Sequence, residues 1–376
     1  MPWQEIGTVD LRTEFVGLAR AGTVSFSELC RRYSISRKTG YKWLHRHDEQ
    51  GVNGLVDQSR APKQQPAHTI PEVEALVVAC RDQYPYWGGR KLKGVLAQQG
   101  HLHIPAPSTI TAILRRHGRL SSPVEPLPLH RFEHAHPNEL WQMDFKGHIP
   151  VGRQRCHPLT VIDDCSRFSL CLEACGDERK GTVQQALTSV FRRYGLPRRM
   201  TMDNGSPWGG NGRFSRLTVW LIEHGVTVSH SRPYHPQTQG KDERFHRTLK
   251  AELLGRREFD TMERCQHAFD HWRQQYNQVR PHEALGMQTP ASRYECSQRH
   301  WEEQLPEYEY SPIDELRKVS PDQCVSFQRY VILVGEGFVG KKVAFRPTTI
   351  DGRYTIHFCH QQIGEVDLRE LTKRVR

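Results

Sequence analysis

The first fifty residues repeat apolar side chains at helical spacing in three short stretches. Phe15 and Leu18 lie on one face of the first stretch, and Ser25 begins a Ser-Phe-Ser-Glu pattern typical of a helix start. A short turn then precedes a third stretch that begins near Arg37. Three short helices separated by tight turns predict a helix-turn-helix over residues 10–50, within a first domain of residues 1–60.

A second group of helical patterns follows a stretch rich in Gly, Pro and Gln at residues 51–67, which we interpret as a linker. Pro71 stands in the first turn of the next predicted helix, and two further helices are predicted over residues 91–99 and 108–117. We expect a second helix-turn-helix, in a helical DNA-binding domain of residues 61–120. Four prolines within residues 118–137 then indicate another linker, at residues 121–136.

Beyond residue 136 the pattern changes to strands that alternate with helices. Strands are predicted at residues 140–149, 159–162, 168–172, 199–202 and 226–229, and helices at residues 182–194, 217–224 and 241–254. This order predicts a mixed sheet flanked by helices, an α/β domain over residues 137–296.

The last part of the chain alternates apolar and polar residues in the manner of strands. Strands are predicted at residues 324–334, 341–345 and 353–358, and Asp351-Gly352 is a hairpin signal. We expect a small all-β domain over residues 297–376, an SH3-like barrel, and we expect its segment of about residues 315–376 to fold on its own. Its cations either touch a DNA backbone or serve a protein contact; they are Lys341, Lys342, Arg346 and Arg353.

Composition narrows the possible partners. The 376 residues carry 53 Lys and Arg against 42 Asp and Glu, a net charge of +11, which favours double-stranded DNA as the partner. Ten cysteines without a Cys-x-x-Cys pair are more typical of thiols in a reducing cytosol than of a zinc site or a disulfide framework. No signal peptide or membrane-length apolar run is found, so we expect a cytoplasmic, DNA-associated protein.

Three carboxylates stand in separate predicted elements. Asp144 lies in the first strand of the α/β domain, Asp203 ends a later strand, and Glu243 opens a helix after a loop that contains Pro and Gly. Converging carboxylates can hold two divalent cations and support in-line displacement at a phosphate. We expect two Mg²⁺ ions at one site, with Mn²⁺ able to substitute, because both prefer oxygen ligands.

Basic side chains are predicted to deliver DNA to this site. The third helix presents a polar, basic surface suited to the major groove, and the sixth helix ends in two arginines. Two further cations lie four and seven residues after Glu243, on the same helical face. The candidate DNA-binding residues are Arg37, Lys38, Tyr41, Lys42, Arg46, Arg115, Arg116, Arg247 and Lys250.

Over residues 135–295 the sequence resembles the catalytic core of insertion-sequence DDE transposases, which are relatives of retroviral integrases. The motifs that carry the resemblance are Trp141-x-x-Asp144-Phe145, Ile162-Asp163-Asp164-x-Ser166-Arg167, Asp203-Asn204-Gly205 and His235-Pro236-Gln237-Thr238-x-Gly240-Lys241-x-Glu243-Arg244-Phe245-x-Arg247-x-Leu249-Lys250.

The resemblance implies an RNase H-like core in a bacterial transposase, with Asp144, Asp203 and Glu243 as catalytic metal ligands. Such an enzyme cleaves transposon ends and joins their 3′-hydroxyls to target DNA, and it acts as a dimer or larger assembly. Glu243 follows Asp203 by 40 positions, a longer spacing than is common in such cores, and the glycine-rich stretch 207–213 accounts for the extra length.

Alternatives remain at the residue and at the protein level. Asp242, one position before Glu243, is a second candidate for the third ligand, whereas Asp163 and Asp164 are interpreted as turn residues. A silenced copy that acts as a repressor and a structure-specific nuclease are the competing functions.

Overall fold

The computed structural model describes residues 7–58, 69–120, 133–210, 213–230 and 240–371. The chain forms two compact units, residues 1–68 and 69–376. Three predicted segments fall wholly or partly outside the described residues: the end of the first linker, residues 121–132 of the second, and the loop before Gly240. No helix in the described part is long and apolar enough to cross a bilayer.

The first unit contains the three predicted helices, α1 (Thr8–Ala21), α2 (Phe26–Arg32) and α3 (Arg37–Gln50). Serine side chains begin the second and third helices. The Ser25 hydroxyl accepts a hydrogen bond from the Glu28 amide at 3.3 Å, and Ser36 accepts one from Thr39 at 3.1 Å. The apolar faces meet in one core formed by Phe15, Val16, Leu29, Cys30, Trp43 and Leu55.

The predicted first linker starts too early, because its first residues belong to this core. Gly51–Leu55 forms a 3₁₀ turn, and Leu55 is fully buried. A side chain at Gly54 would place its Cβ 2.2 Å from the Arg46 carbonyl oxygen, so only glycine allows the turn to pack against α3. Arg12 donates a hydrogen bond to the Leu55 carbonyl at 2.7 Å.

The second unit begins with three helices, α4 (Pro71–Gln83), α5 (Gly89–Gln98) and α6 (Pro107–Arg116). Their apolar faces form a separate core around Val77, Leu92 and Ile110. These helices rest on the α/β domain, where the Trp87 indole donates a hydrogen bond to Glu252 at 3.2 Å.

The α/β domain is built on a twisted mixed sheet, as the alternating pattern predicted. Its strands are β1 (Leu140–Phe145), β2 (Ile149–Val151), β3 (Gln154–Asp163), β4 (Ser169–Cys175), β5 (Arg199–Met202) and β8 (Thr227–His230). Strand β1 lies between antiparallel β3 and parallel β5, with β8 beyond β5 and β4 on the outer side of β3. A small hairpin of β6 (Gly209–Gly210) and β7 (Arg213–Phe214) fills the predicted glycine-rich insertion.

Helices cover both faces of this sheet. They are α7 (Lys180–Tyr194), α8 (Arg216–Glu223), α9 (Gly240–Leu249) and α10 (Met262–Gln278). Helices α7 and α8 bury one apolar cluster against the sheet, and α9 and α10 bury another. Helix α9 ends at Leu249 and continues as a π-helical turn, Lys250–Leu254, where one unbroken helix was predicted.

The C-terminal region is all-β, as predicted, with six strands. They are β9 (Glu315–Lys318), β10 (Cys324–Phe327), β11 (Tyr330–Leu333), β12 (Lys342–Pro347), β13 (Arg353–Phe358) and β14 (Gln361–Asp367). The single strand predicted over residues 324–334 is a hairpin that reverses at Gln328 and Arg329, both with positive φ. Neither residue is glycine or asparagine, so the sequence lacks the usual signal for a tight turn at these positions.

The C-terminal strands pack on the α/β domain and share its apolar core. Phe338 and Phe358 belong to the same buried cluster as Trp141. The Gln361 side-chain amide pairs with both backbone groups of Val228 in edge strand β8, at 2.8 and 2.9 Å. The shared core shows that these strands pack on the α/β domain, and the expectation that about residues 315–376 fold on their own stays a prediction.

The C-terminal cations expected to touch either DNA or protein all have acidic partners within this chain. Lys341 pairs with Glu223, Lys342 with Glu307, Arg346 with Asp314, and Arg353 with Glu365 and Asp367. Each positive charge therefore has a carboxylate beside it. The choice between a DNA-backbone contact and a protein contact stays a prediction.

Candidate active site

Asp144 and Asp203 meet at the level where two adjacent parallel strands end. Gln142 of β1 pairs with Thr201 of β5, and each aspartate follows two residues later on its own strand. Because side chains two apart along a strand share a face, both carboxylates project from the same side of the sheet. The sequence placed Asp144 within a strand and Asp203 at the end of another, and the parallel pairing brings the two residues together.

The Asp144 carboxylate is partly buried and is held by the backbone. Its Oδ1 accepts a hydrogen bond from the Phe145 amide at 2.8 Å, which leaves Oδ2 to face the site. Burial, followed by the nearby Asp203 charge, raises the pKa of Asp144 to about 7. The Trp208 ring stacks on Phe145 at 5.4 Å, on the face of the strand opposite to Asp144.

Helix α9 brings two buried polar side chains against Asp144. Ligand atoms of Asp144, Asp242 and His246 lie within 4.8 Å of one another. Asp242 is 1% exposed, and its Oδ1 lies 3.2 Å from the Thr160 hydroxyl oxygen. Its Oδ2 has no hydrogen-bond partner among the described residues. Burial and the neighbouring Asp144 raise the pKa of Asp242 well above its ordinary value.

His246 is the third member of this group. Its Nδ1 lies 3.8 Å from Asp144 Oδ2, and its Nε2 lies 2.8 Å from the Thr160 hydroxyl oxygen. Burial and the charge of Lys146 lower the pKa of His246 to about 3, so the imidazole is neutral. A neutral imidazole is a common metal ligand.

Glu243 is exposed on α9, one residue round the helix from buried Asp242. Arg247 and Lys250 are exposed as well, in keeping with the predicted common face. The assignment of Glu243 as the third ligand stays a prediction, since the group of three close ligand atoms includes Asp242 instead.

Sequence reasoning did not find His246 or Thr160. His246 follows Glu243 by three residues, a spacing that puts it on the same side of a helix and could have drawn attention. Thr160 could not have been found, because it reaches the site only through its pairing with Asp144 across β1 and β3.

The residues at this site suit a divalent cation. Several carboxylates converge, two of them have pKa values raised by burial and mutual repulsion, and one buried oxygen has no partner. A bound cation would offset the repulsion between the carboxylates and would give the buried oxygen a partner. Asp144, Asp203 and either Asp242 or Glu243 are the side chains able to hold it.

Asp163 and Asp164 stabilise the local structure after β3 and are not part of the candidate active site. Asp163 Oδ2 accepts hydrogen bonds from the Ser166 amide and hydroxyl at 2.8 and 2.6 Å. Asp164 accepts from Gln142 at 2.8 Å and forms an ion pair with Lys241. Both aspartates therefore organise the turn after β3, in agreement with the sequence interpretation.

The candidate DNA-binding residues of the first helical domain differ in exposure. Arg37, Lys38, Tyr41 and Lys42 are exposed on the first turns of α3. The Arg46 guanidinium instead lies 5.3 Å from the Trp43 ring centre, where it packs against the core.

The two arginines at the end of α6 are both exposed. Arg116 also pairs with the mostly buried carboxylate of Glu74, and His117 contacts the same carboxylate at 3.1 Å. The assignment of Arg115 and Arg116 to DNA contact stays a prediction.

Family models match most of the chain in consecutive segments. Two integrase core domain models match residues 134–236 and 224–290, and the C-terminal domain of the IS481 family transposases matches residues 314–374. A helix-turn-helix domain matches residues 11–63, and a homeodomain-like domain matches residues 39–114.

Two bacterial relatives match the same central region. The uncharacterized 39.2 kDa protein of insertion element IS476 from Xanthomonas euvesicatoria is 28% identical over 155 residues, 41% of this chain and 44% of that protein. The uncharacterized 31.7 kDa protein of insertion element IS407 from Burkholderia multivorans is also 28% identical over 155 residues, 54% of its length. The chain thus spans about half the length of these curated relatives.

A solved retroviral structure overlaps the same region at low similarity. The HTLV-2 integrase catalytic core domain in complex with magnesium aligns with 43% of this chain and 99% of its own, at 16% identity and a TM-score of 0.34. At that score the likeness adds nothing to the assignment, which rests on the family models and the sequence relatives. By its RNase H-like integrase core, its IS481-type C-terminal domain and its helix-turn-helix region, the chain belongs to the insertion-sequence transposases of the DDE class.

Proposed function

We propose that this protein binds the terminal inverted repeats of a bacterial insertion sequence, cleaves the ends and joins their 3′-hydroxyls to target DNA. The observation that carries the proposal is the meeting of Asp144 and Asp203 on adjacent parallel strands, directly opposite the carboxylates of α9. Carboxylates arranged in this way suit phosphoryl transfer by divalent cations and not covalent catalysis by a side chain.

Asp144, Asp203 and Glu243 are the residues that would hold two Mg²⁺ ions, for which Mn²⁺ could substitute. When bound, such ions activate the attacking oxygen and stabilise the leaving oxygen. Thr160 keeps the Asp144 segment in place by donating a hydrogen bond to its backbone carbonyl at 2.9 Å. The Phe145–Trp208 stack packs the opposite face of the same strand into the apolar core.

Basic residues on the exposed face of α9 would bind the DNA beside the cations. Arg247 and Lys250 are exposed there, and their charges suit phosphate oxygens. Lys250 stands at the π-helical turn and would contact the strand that leaves the site.

Recognition of the terminal repeats is assigned to the helix-turn-helix region. Arg37, Lys38, Tyr41 and Lys42 are exposed at the start of α3, the part of a recognition helix that reaches base edges. Arg115 would contribute from α6. Two ends must be held together for joining, so we infer at least a dimer on DNA, acting in the bacterial cytoplasm. We also infer that the C-terminal strands close into an SH3-like barrel.

Incubation of the purified full chain with labelled end fragments, Mg²⁺ and a plasmid target tests this function. The parent protein should produce joined molecules. Asp144→Asn, Asp203→Asn and Glu243→Gln should lower joining by at least about 10³-fold, while end binding measured by gel shift stays unchanged. Asp322→Asn, which alters an exposed carboxylate of the C-terminal domain, is the matched control and should join at the parent rate.

Two results would replace the proposal with a competing one. Hydrolysis of ends without any joined product would indicate a nuclease. Binding to the ends without cleavage, in the presence of Mg²⁺ or of Mn²⁺, would indicate a repressor.

A further inference from the structure

We propose that Asp242 and His246 complete, with Asp144, a cation site that contains a nitrogen donor and therefore binds Mn²⁺ in preference to Mg²⁺. Asp242 would be a fourth carboxylate beside the predicted triad and not a replacement for Glu243. The inference rests on the proposed function, because it concerns the same metal centre, but it is tested by metal binding alone.

The proposed site uses the imidazole tautomer in which His246 Nε2 carries the ring proton. The single Thr160 hydroxyl proton has three possible acceptors, the Asp144 carbonyl at 2.9 Å, Asp242 Oδ1 at 3.2 Å and His246 Nε2 at 2.8 Å, and in the proposed site it points at the Asp144 carbonyl. The hydroxyl oxygen then accepts from His246, whose Nε2 lies 2.8 Å away and must carry the ring proton. The Nδ1 lone pair consequently faces Asp144 Oδ2 at 3.8 Å.

Two lone pairs that face each other across this distance leave room for a cation. Ligand atoms about 2.1 Å from one ion are separated by between about 3.0 and about 4.2 Å, depending on the angle at the metal. The Nδ1 to Oδ2 distance of 3.8 Å falls within that range. Without an ion the two groups are both acceptors and gain nothing from being close.

The buried oxygen of Asp242 is a second, independent sign of a ligand. Asp242 is 1% exposed, and its Oδ2 has no hydrogen-bond partner among the described residues. A buried carboxylate oxygen left without a partner costs free energy, which a coordinated cation would offset. The three side chains have ligand atoms within 4.8 Å of one another, so side-chain shifts of less than about 1 Å would bring all three within reach of one ion.

The nitrogen donor predicts the metal preference. Mg²⁺ takes oxygen ligands almost exclusively, whereas divalent transition metals accept imidazole as well as carboxylate. Among the ions that serve phosphoryl transfer, Mn²⁺ suits a site with two carboxylates and one imidazole better than Mg²⁺ does.

The test measures Mn²⁺ and Mg²⁺ binding to the metal-free full chain by titration calorimetry, without DNA. Electron spin echo spectroscopy of the Mn²⁺ complex then detects nitrogen bound directly to the ion. Asp242→Asn and His246→Asn are the test variants. Asp260→Asn and His271→Asn change an exposed aspartate and an exposed histidine and are the matched controls.

We expect Asp242→Asn to weaken Mn²⁺ binding by at least about tenfold, a loss typical even of residues behind the ligands. His246→Asn should remove the nitrogen signal and narrow the preference for Mn²⁺ over Mg²⁺, while both controls match the parent. Parent-like Mn²⁺ affinity in Asp242→Asn, or no nitrogen signal in the parent complex, would overturn the inference. If Asp242→Asn does not fold, the comparison of the nitrogen signal between the parent and His246→Asn still tests the proposed nitrogen ligand.

Failure of this inference is distinguishable from failure of the proposed function. A parent protein that joins ends but shows no bound nitrogen leaves the function standing and removes the new site. A parent protein that binds Mn²⁺ as expected but never joins ends supports the new site and removes the proposed function.

Discussion

The protonation state of Asp144 is linked to the free energy of unfolding of the metal-free protein. Its carboxyl group is partly buried next to Asp203, and these two causes, in that order, raise its pKa from 3.8 to about 7. The metal-free folded protein therefore binds the Asp144 proton more tightly than the unfolded chain does.

The raised pKa predicts a pH dependence of stability in the metal-free protein. As the pH rises from about 4 to about 7, the unfolded chain loses this proton first, so the free energy of unfolding should fall across that window. Thermal unfolding in the presence of a chelator measures the effect. Asp144→Asn should flatten the dependence, and saturating Mg²⁺ should remove it. An equally steep decline in Asp144→Asn would show that other groups cause it.

At the scale of elements, the catalytic helix is tied to the second helical domain. Glu252, in the π-helical turn after α9, accepts hydrogen bonds from Trp87 and Trp272 at 3.2 Å and pairs with Arg280 at 3.0 Å. Both members of the ion pair have side chains that are only 10% exposed. A helix that carries active-site residues is thereby anchored at its far end to the domain that precedes the core.

Glu252→Ala should lower the free energy of unfolding by about 3 kcal/mol, because it leaves the Arg280 guanidinium buried without a partner. Urea denaturation of the full chain, followed by tryptophan fluorescence, measures the change. Glu283→Ala removes the half-exposed partner of Arg90, at 3.7 Å, and should cost less than about 1 kcal/mol. Similar losses in the two variants would mean that the Glu252 contacts do not anchor the helix.

At the scale of the whole molecule, the C-terminal strands complete the catalytic domain. The side-chain amide of Gln361 pairs with Val228 as a neighbouring strand would, and it covers part of the open edge of the sheet. Exposed sheet edges invite pairing with other chains, so this contact also protects the edge from aggregation.

Gln361→Ala should leave the Val228 amide and carbonyl without partners and cost about 1–3 kcal/mol locally. Hydrogen exchange should show faster exchange of the Val228 amide, with α1–α3 unaffected. Gln362→Ala, at the next position, changes an exposed side chain and is the matched control. Unchanged protection of Val228 in Gln361→Ala would refute the edge-covering role.

Local signals in the sequence determined much of this architecture. Serine caps, helical spacing and strand alternation correctly predicted α1 to α8 and the strand that ends at Asp203, because these features act within a few residues of each other. The motifs by themselves likewise indicated the family, since they preserve residue types at fixed spacing.

Only the tertiary structure decided which side chains meet. Phe245 packs on Trp272 and Tyr276, and this contact sets the rotation of α9 that buries Asp242 and exposes Glu243. The positions of Thr160 against Asp144 and of Arg116 against Glu74 depend in the same way on partners far along the chain. No local pattern contains that information, because adjacent positions on a helix differ by about 100° in direction and packing against distant elements selects between them.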